Sequence, residues 1–183
     1  MNLDLIRPAC LADTETTAPS EMTQHPNIKS IHEIEPVLRE SPRGRFRIFR
    51  RNLSEALGAA KDSGPWNGGP PFDVEQVSLP AGNMNFPFHS HQAIWEFYWI
   101  LDGKGIARIG DQRLNIATGD FFMCPPGCPH QIEATTDLTY AVIANNMQAD
   151  VGYYPDSNKW ITMPDRACFR ECIDYYDGEE GRP

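Results

Sequence analysis

The sequence predicts an all-β sandwich or barrel. Short runs rich in Val, Ile, Phe, Tyr and Trp follow one another from Phe72 onward. Turn signals separate them about every 8 to 12 residues, the spacing of sandwich and barrel strands. The chain of 183 residues carries 14 Gly and 16 Pro, enough punctuation for many turns, and its 40% hydrophobic content is too high for a disordered chain. That length suits one domain with a real core.

Residues 1–27 are polar and rich in Thr and Pro, with little periodicity, and read as an arm. The barrel is expected over residues 28–150, with a C-terminal arm over 151–183 packing on it. Arg45-Phe46-Arg47-Ile48 alternates strictly, as a half-buried strand does. Asn52 to Lys61 reads as a short helix capped by Asn52 or Ser54. Gly64-Pro65 and Gly68-Gly69-Pro70-Pro71 then make a loop. Phe72 to Leu79 reads as a strand ended by Pro80-Ala81-Gly82. His89 to Leu101 is strand-like, with a break near Gln92-Ala93. Asp102-Gly103 and Gly110-Asp111 read as hairpin turns, the second flanked by Lys104 to Ile109 and Gln112 to Ile116. Beyond the turn Ala117-Thr118-Gly119-Asp120, short strands are expected at Phe121 to Cys124, Pro129 to Glu133 and Leu138 to Asn145. From Tyr153 the pattern is mixed and no strand is assigned; the end is acidic, with Asp174, Asp177, Glu179 and Glu180.

Charge and composition exclude some functions. Sixteen basic side chains against 25 acidic ones give a net charge of -9. Nucleic-acid binding needs clustered Lys and Arg, so it is not expected. The one basic run, Arg43 to Arg51, is interleaved with Phe46, Ile48 and Phe49 and reads as the polar face of a strand. No stretch approaches the roughly 20 apolar residues of a membrane helix. The N-terminus lacks a basic start followed by an apolar run, which argues against a secretory signal. Five Cys make an odd count, and a disulfide framework is not needed at this size, so a reducing cytoplasm is the expected location.

Three of the five His fall in the strand-rich centre: His89, His91 and His130. His89 and His91 are two apart, so on a strand both point to one face. Glu96 follows a turn and can face the same side. His130 comes after Pro125-Pro126-Gly127, a tight turn that can return a strand to the same place. Three imidazoles and a carboxylate converging inside a barrel suit a divalent transition metal. The spacing alone is also compatible with three unrelated His and an ordinary strand Glu.

The segment Gly82-x6-His89-x-His91-x4-Glu96-x6-Gly103 resembles the first cupin motif, with one residue more than usual between the first Gly and the first His. Gly119-x5-Pro125-x-Gly127-x2-His130 resembles the second, with Ala134 where that motif closes on Asn. Lys104 to Thr118, 15 residues, separates the two. The resemblance implies an antiparallel double-stranded β-helix, or jelly roll, with one divalent metal (Fe, Mn, Ni, Cu or Zn) at its mouth, held by His89, His91, Glu96 and His130. It also implies a small-molecule ligand and a homodimer.

Strand parity from Glu96 turns Tyr98 and Ile100 inward, and from His130 turns Ile132 inward. Tyr98 is a candidate hydrogen-bond donor to substrate beside its plainer role as a core residue. Phe86 and Phe88 are expected to rim the mouth. Trp95, Phe97 and Trp99 face the other way and need covering, by the segment Ile28 to Ile34 or by a second subunit. Cys124-x3-Cys128 and Cys168-x3-Cys172 fit loose zinc spacing, but burial by chance is the simpler reading. The functional expectation is a metal-dependent enzyme acting on a small organic molecule. Oxygenase chemistry comes first and isomerase or lyase chemistry second, because no base stands beside the ligands in the sequence. A non-catalytic small-molecule binder and a structural metal are the alternatives.

Overall fold

In the computed structural model, residues 26–60 and 63–170 are described. Most of the expected N-terminal arm, the acidic end, Cys10 and Cys172 lie outside them. The strands are β1 (Val37–Glu40), β2 (Arg47–Asn52), β3 (Phe72–Leu79), β4 (Ser90–His91), β5 (Glu96–Asp102), β6 (Lys104–Ile109) and β7 (Gln112–Ala117). They continue as β8 (Phe121–Cys124), β9 (His130–Ala134), β10 (Leu138–Asn145), β11 (Asp150–Tyr154), β12 (Lys159–Met163) and β13 (Cys168–Arg170). One short helix, α1 (Leu53–Ala56), follows β2.

All named strand pairs are antiparallel. One layer runs β1-β2-β3-β10-β5-β8. The other consists of β7-β6-β9 and β13-β12-β11-β4. A reciprocal pair of backbone bonds joins its two parts: His89 N–H donates to the His130 carbonyl at 3.2 Å, and His130 N–H donates back to His89 at 2.8 Å. The core lies between the layers. Val77, Leu79, Ile100, Leu138 and Tyr140 from the first meet Ala107, Ile132 and Ala134 from the second, all 2% exposed or less. Burial of each large aliphatic side chain contributes about 1.5–3 kcal/mol. The all-β expectation is thus met by a double-sheet barrel.

Three local expectations change. Asp102-Gly103 is not a hairpin turn, since β5 pairs with β8 and β10 while β6 pairs with β7 and β9. It is the corner where the chain changes layers. Gly103 sits at φ +87°, and a Cβ there would run into the Asp137 carbonyl, so only glycine fits. The helix is capped by Asn52, whose Oδ1 accepts from Glu55 N–H at 2.8 Å. It ends at Ala56 because Gly58 turns left-handed, at φ +99°. Ser54 instead uses its hydroxyl to hold Val74 N–H on β3, at 2.9 Å. Finally, residues from Asp150 onward form strands β11 to β13. All of β12 is half-buried, all of β13 is exposed, and the buried positions of β11 are Asp150 and Gly152, so no apolar alternation marked them in the sequence.

The outer face of the first layer carries exposed apolar side chains. Trp95 and Trp99 are each 50% exposed and Phe121 is 70% exposed. Phe97 pairs with Met123 and Trp99 with Phe121 across β5 and β8. The segment ending at Ile34 does not cover them; it runs beside β2, where Arg51 Nε donates to the Ile34 carbonyl at 2.8 Å.

Candidate metal centre

The reciprocal bonds between His89 and His130 set these two residues side by side on adjoining strands, with ring centroids 4.8 Å apart. His91 shares their face, at 5.0 Å from His89. Glu96 enters from the opposite layer at the start of β5. One ligand atom from each of His89, His91, Glu96 and His130 lies within 4.8 Å of the others. The four residues that the sequence singled out therefore meet.

Each imidazole is fixed on its far nitrogen. His89 Nδ1 lies 2.8 Å from the Pro87 carbonyl, His130 Nδ1 3.0 Å from the Cys128 carbonyl, and His91 Nδ1 2.6 Å from Asp150 Oδ2. On His89 and His91 a proton on Nδ1 leaves the Nε2 lone pair free for the cluster centre, the tautomer that a metal-binding histidine needs. Glu96 Oε2 accepts from His130 Nε2 at 2.6 Å and from the Tyr98 hydroxyl at 2.9 Å. Its other oxygen, Oε1, is 3.6 Å from His91 Nε2. That Nε2 is buried without a hydrogen-bond partner, which in a native interior asks for an explanation. A cation between the four ligand atoms provides one. Three imidazole nitrogens and one carboxylate oxygen suit a divalent transition metal.

The electrostatics agree. Burial alone would raise the Glu96 carboxyl, but the hydrogen bond from His130 and the nearby imidazoles hold it below the usual range. Burial, with the field of His130, pushes His89 down to about 3, so it is neutral and its lone pair is available. Burial opposes charge on His130, yet its bonds to Cys124 and Glu96 outweigh burial and raise it. The cluster therefore keeps an ionised carboxylate among imidazoles and attracts positive charge to its centre.

Residues that the sequence did not mark complete the site. Asp150, 4% exposed, orients His91 and also accepts from Gln92 N–H at 2.9 Å and Ala93 N–H at 2.7 Å. It belongs to no motif; only the pairing of β11 with β4 brings it there. Tyr154 stacks on His89 at 5.6 Å, also from β11. Tyr98 and Ile132 are buried and inward, as strand parity predicts. Phe86 lines the cavity beside the ligands. Phe88 does not rim the mouth: it is buried and covered by the Arg108 guanidinium, 3.5 Å from its ring centre. Cys124, Cys128 and Cys168 are free thiols. Burial pushes the Cys128 thiol up, the reverse of what a reactive cysteine needs.

The cluster opens on a cavity of about 460 Å³, within the range of small-molecule pockets. Arg50 and Glu75 line it from β2 and β3, on the same inner face as Tyr98. The basic run is thus not only a polar outer face. Arg50 shares the inward parity of Ile48 and reaches the cavity.

Residues 75–144 match the family model described as Cupin domain. The chain carries a cupin domain. Its barrel and paired motifs agree with that family. An uncharacterized protein of Methanocaldococcus jannaschii is 33% identical over 60 residues, covering 33% of this chain and 47% of that protein. A gentisate 1,2-dioxygenase of Streptomyces is 33% identical over 66 residues, covering 36% of this chain and 18% of the enzyme. The chain therefore matches less than half the length of either curated relative. A solved sugar phosphate isomerase from a cupin superfamily, of Silicibacter pomeroyi, superposes with a TM-score of 0.63 at 20% identity, covering 78% of this chain and 91% of that one. That likeness is one of fold. Beyond the matched residues, strand β11 supplies Asp150 and Tyr154 to the site.

Proposed function

We propose that the protein is a metal-dependent enzyme acting on a small organic molecule, with one divalent transition metal held by His89, His91, Glu96 and His130. The observation that carries this reading is the buried, partnerless Nε2 of His91, set where three further ligand atoms converge. A divalent cation there supplies Lewis-acid polarisation or redox activity to a bound molecule. The chain's own residues do the positioning. Asp150 holds the His91 ring, and the Tyr98 hydroxyl holds the Glu96 carboxylate. Tyr98 thus acts on a ligand, as a positioning residue. Phe86, Val142 and Ile161 give the cavity apolar walls that exclude water from a bound molecule.

Two reaction types use such a centre. The stretch shared with the gentisate dioxygenase favours oxygenase chemistry. The Glu75 carboxyl inside the cavity favours isomerase or lyase chemistry. The absence of a base in the sequence pattern no longer ranks the first above the second. A second copy of the chain covering Trp99, Phe121 and Met123 is part of the same proposal, because apolar faces of this kind mark interfaces. Among the described residues no helix is long and apolar enough to cross a membrane. We place the protein in the cytoplasm and without a nucleic-acid partner, on the cysteine usage and acidic charge of the chain.

Metal analysis by mass spectrometry of the untagged wild type and His130→Ala tests the centre. About one metal per chain, lost in the variant, is the expected result. No metal in the wild type after reloading with Fe(II), Mn(II) and Zn(II) overturns the metalloenzyme reading.

A further inference from the structure

We propose that Glu75 is the acid–base residue of this cavity, and that the substrate is a small carbonyl compound with an exchangeable C–H next to its carbonyl group. The inference rests on the metal-centre reading above and adds to it a proton-transfer group and a substrate class.

Glu75 belongs to a cross-strand row on the inner face of the first layer. Its Cα partners are Asn52 on β2 and Val142 on β10, and Val142 in turn pairs with Tyr98 on β5. Tyr98 bonds directly to the ligand Glu96. Two strand spacings, about 10 Å, separate the backbones of Glu75 and Tyr98. Both residues line the one cavity that also holds His89, His91 and Glu96. A molecule of a few carbons held at the ligand cluster therefore extends toward the Glu75 carboxyl. Val142 lies between the two in the row, so the surface beneath that molecule is apolar.

The carboxyl is held in place by side chains of β2 and β3 inside the cavity. Arg50 Nη2 pairs with Glu75 Oε1, and Asn52 Nδ2 donates to the same atom at 3.5 Å. Both of these contacts fall on Oε1, and the Asp73 side chain shares a hydrogen bond with the carboxyl that favours its protonated form. The Glu75 side chain is 14% exposed and that of Arg50 17%. Arg39 and Arg50 both line this end of the cavity, so it presents guanidinium groups to a polar substrate. Burial, against the field of Arg50, pushes the Glu75 carboxyl up to about 8. A group of that kind both accepts and returns a proton near neutral pH.

The step balances without an oxidant. Glu75 takes the proton from the carbon beside the carbonyl; the C–H electron pair becomes a C=C bond, and the carbonyl pair moves onto oxygen. Where the carbon that lost the proton bears a hydroxyl, passage of that hydroxyl proton to the enolate oxygen and return of the carbon-bound proton to the former carbonyl carbon complete an isomerisation; return to the original carbon leaves only exchange with solvent. Oxygen insertion does not require this group at all.

The test uses the full chain, reloaded with Mn(II) or Zn(II), and the variants Glu75→Gln and Glu75→Asp. Dihydroxyacetone, hydroxyacetone, pyruvate and oxaloacetate are incubated with each protein in D2O, and loss of the C–H signal is followed by proton NMR. At least one probe is expected to exchange with wild type. The rate should fall about 100-fold or more in Glu75→Gln and less in Glu75→Asp, with metal content unchanged and both variants cooperatively folded. Separately, carbon-13 NMR of labelled glutamate should show a carboxyl that titrates near 8 and is missing from Glu75→Gln. Fully metallated wild type that exchanges no probe overturns the proposal while leaving the metal centre intact. So does exchange that survives in Glu75→Gln, or a Glu75 titration in the ordinary carboxylate range. Wild type that takes up no metal overturns the centre itself, and the metal analysis alone identifies that case.

Discussion

At one end of the cavity, His89, His91 and Glu96 come from a single short stretch of chain, and one reciprocal backbone pair delivers His130. Every imidazole there is held on its outer nitrogen, two of them by backbone carbonyls. At the other end, Arg50, Asn52 and Glu75 come from two strands and hold one another through side chains, with Asn52 Nδ2 at 3.2 Å from Glu55 and 3.5 Å from Glu75. The first end is rigid because backbone geometry sets it. The second is adjustable, because its charges can change without moving a strand. Fixed coordination calls for the first and proton transfer for the second.

The comparison predicts that the two ends respond independently. The largest effect belongs to the ligand end. Free metal at 100 times its dissociation constant should stabilise the wild type by about 2.7 kcal/mol, read by thermal unfolding, and His91→Ala should abolish the gain. An equal gain in the variant would break the assignment. Next, Asp150→Ala should weaken metal binding about 10- to 100-fold by freeing the His91 ring, whereas Glu75→Gln should leave affinity unchanged. Calorimetry with the same metal checks both, and loss of affinity in Glu75→Gln would join the two ends into one unit.

A smaller effect belongs to the other end. Glu75 is raised in the folded state to about 8, so folding favours its protonated form. The stability it contributes is complete below its unfolded value and is lost as pH rises through the folded one. Stability of the wild type relative to Glu75→Gln should therefore fall between about pH 4.5 and 8 and then level. The groups facing Glu75 are Arg50 from β2, Asp73 on its own strand, Tyr140 from β10 and Glu96 from β5. A flat difference in chemical unfolding across that range would show that Glu75 is ordinary. The smallest change is expected from Arg50→Gln. It removes the cation that lowers Glu75, and so should move the titration higher still, as read by carbon-13 NMR.

Much of the barrel was legible because period-two patterning and turn residues are local. The strands at Phe72–Leu79, Lys104–Ile109 and Phe121–Cys124 lie where the pattern put them. The corner at Gly103 was misread because a glycine in a left-handed conformation serves a hairpin and a change of layer equally well. Strands β11 to β13 were missed because β12 is half-buried and β13 exposed on both faces, and β11 buries only Asp150 and Gly152, which leaves no apolar alternation. Arg50 looked like part of a polar face because Phe49-Arg50-Arg51 breaks the alternation that would have shown its inward parity.

The sequence alone picked out the four candidate ligands that the fold brings together. His89 and His91 share a face by parity, and a turn of fixed length sets His130. What surrounds that set was decided by tertiary structure. Asp150 reaches His91 only through the pairing of β11 with β4, and Glu75 faces Tyr98 only through β10. Strand order in a sheet depends on which faces bury the most apolar surface together. That is a property of the whole chain, and no local pattern encodes it.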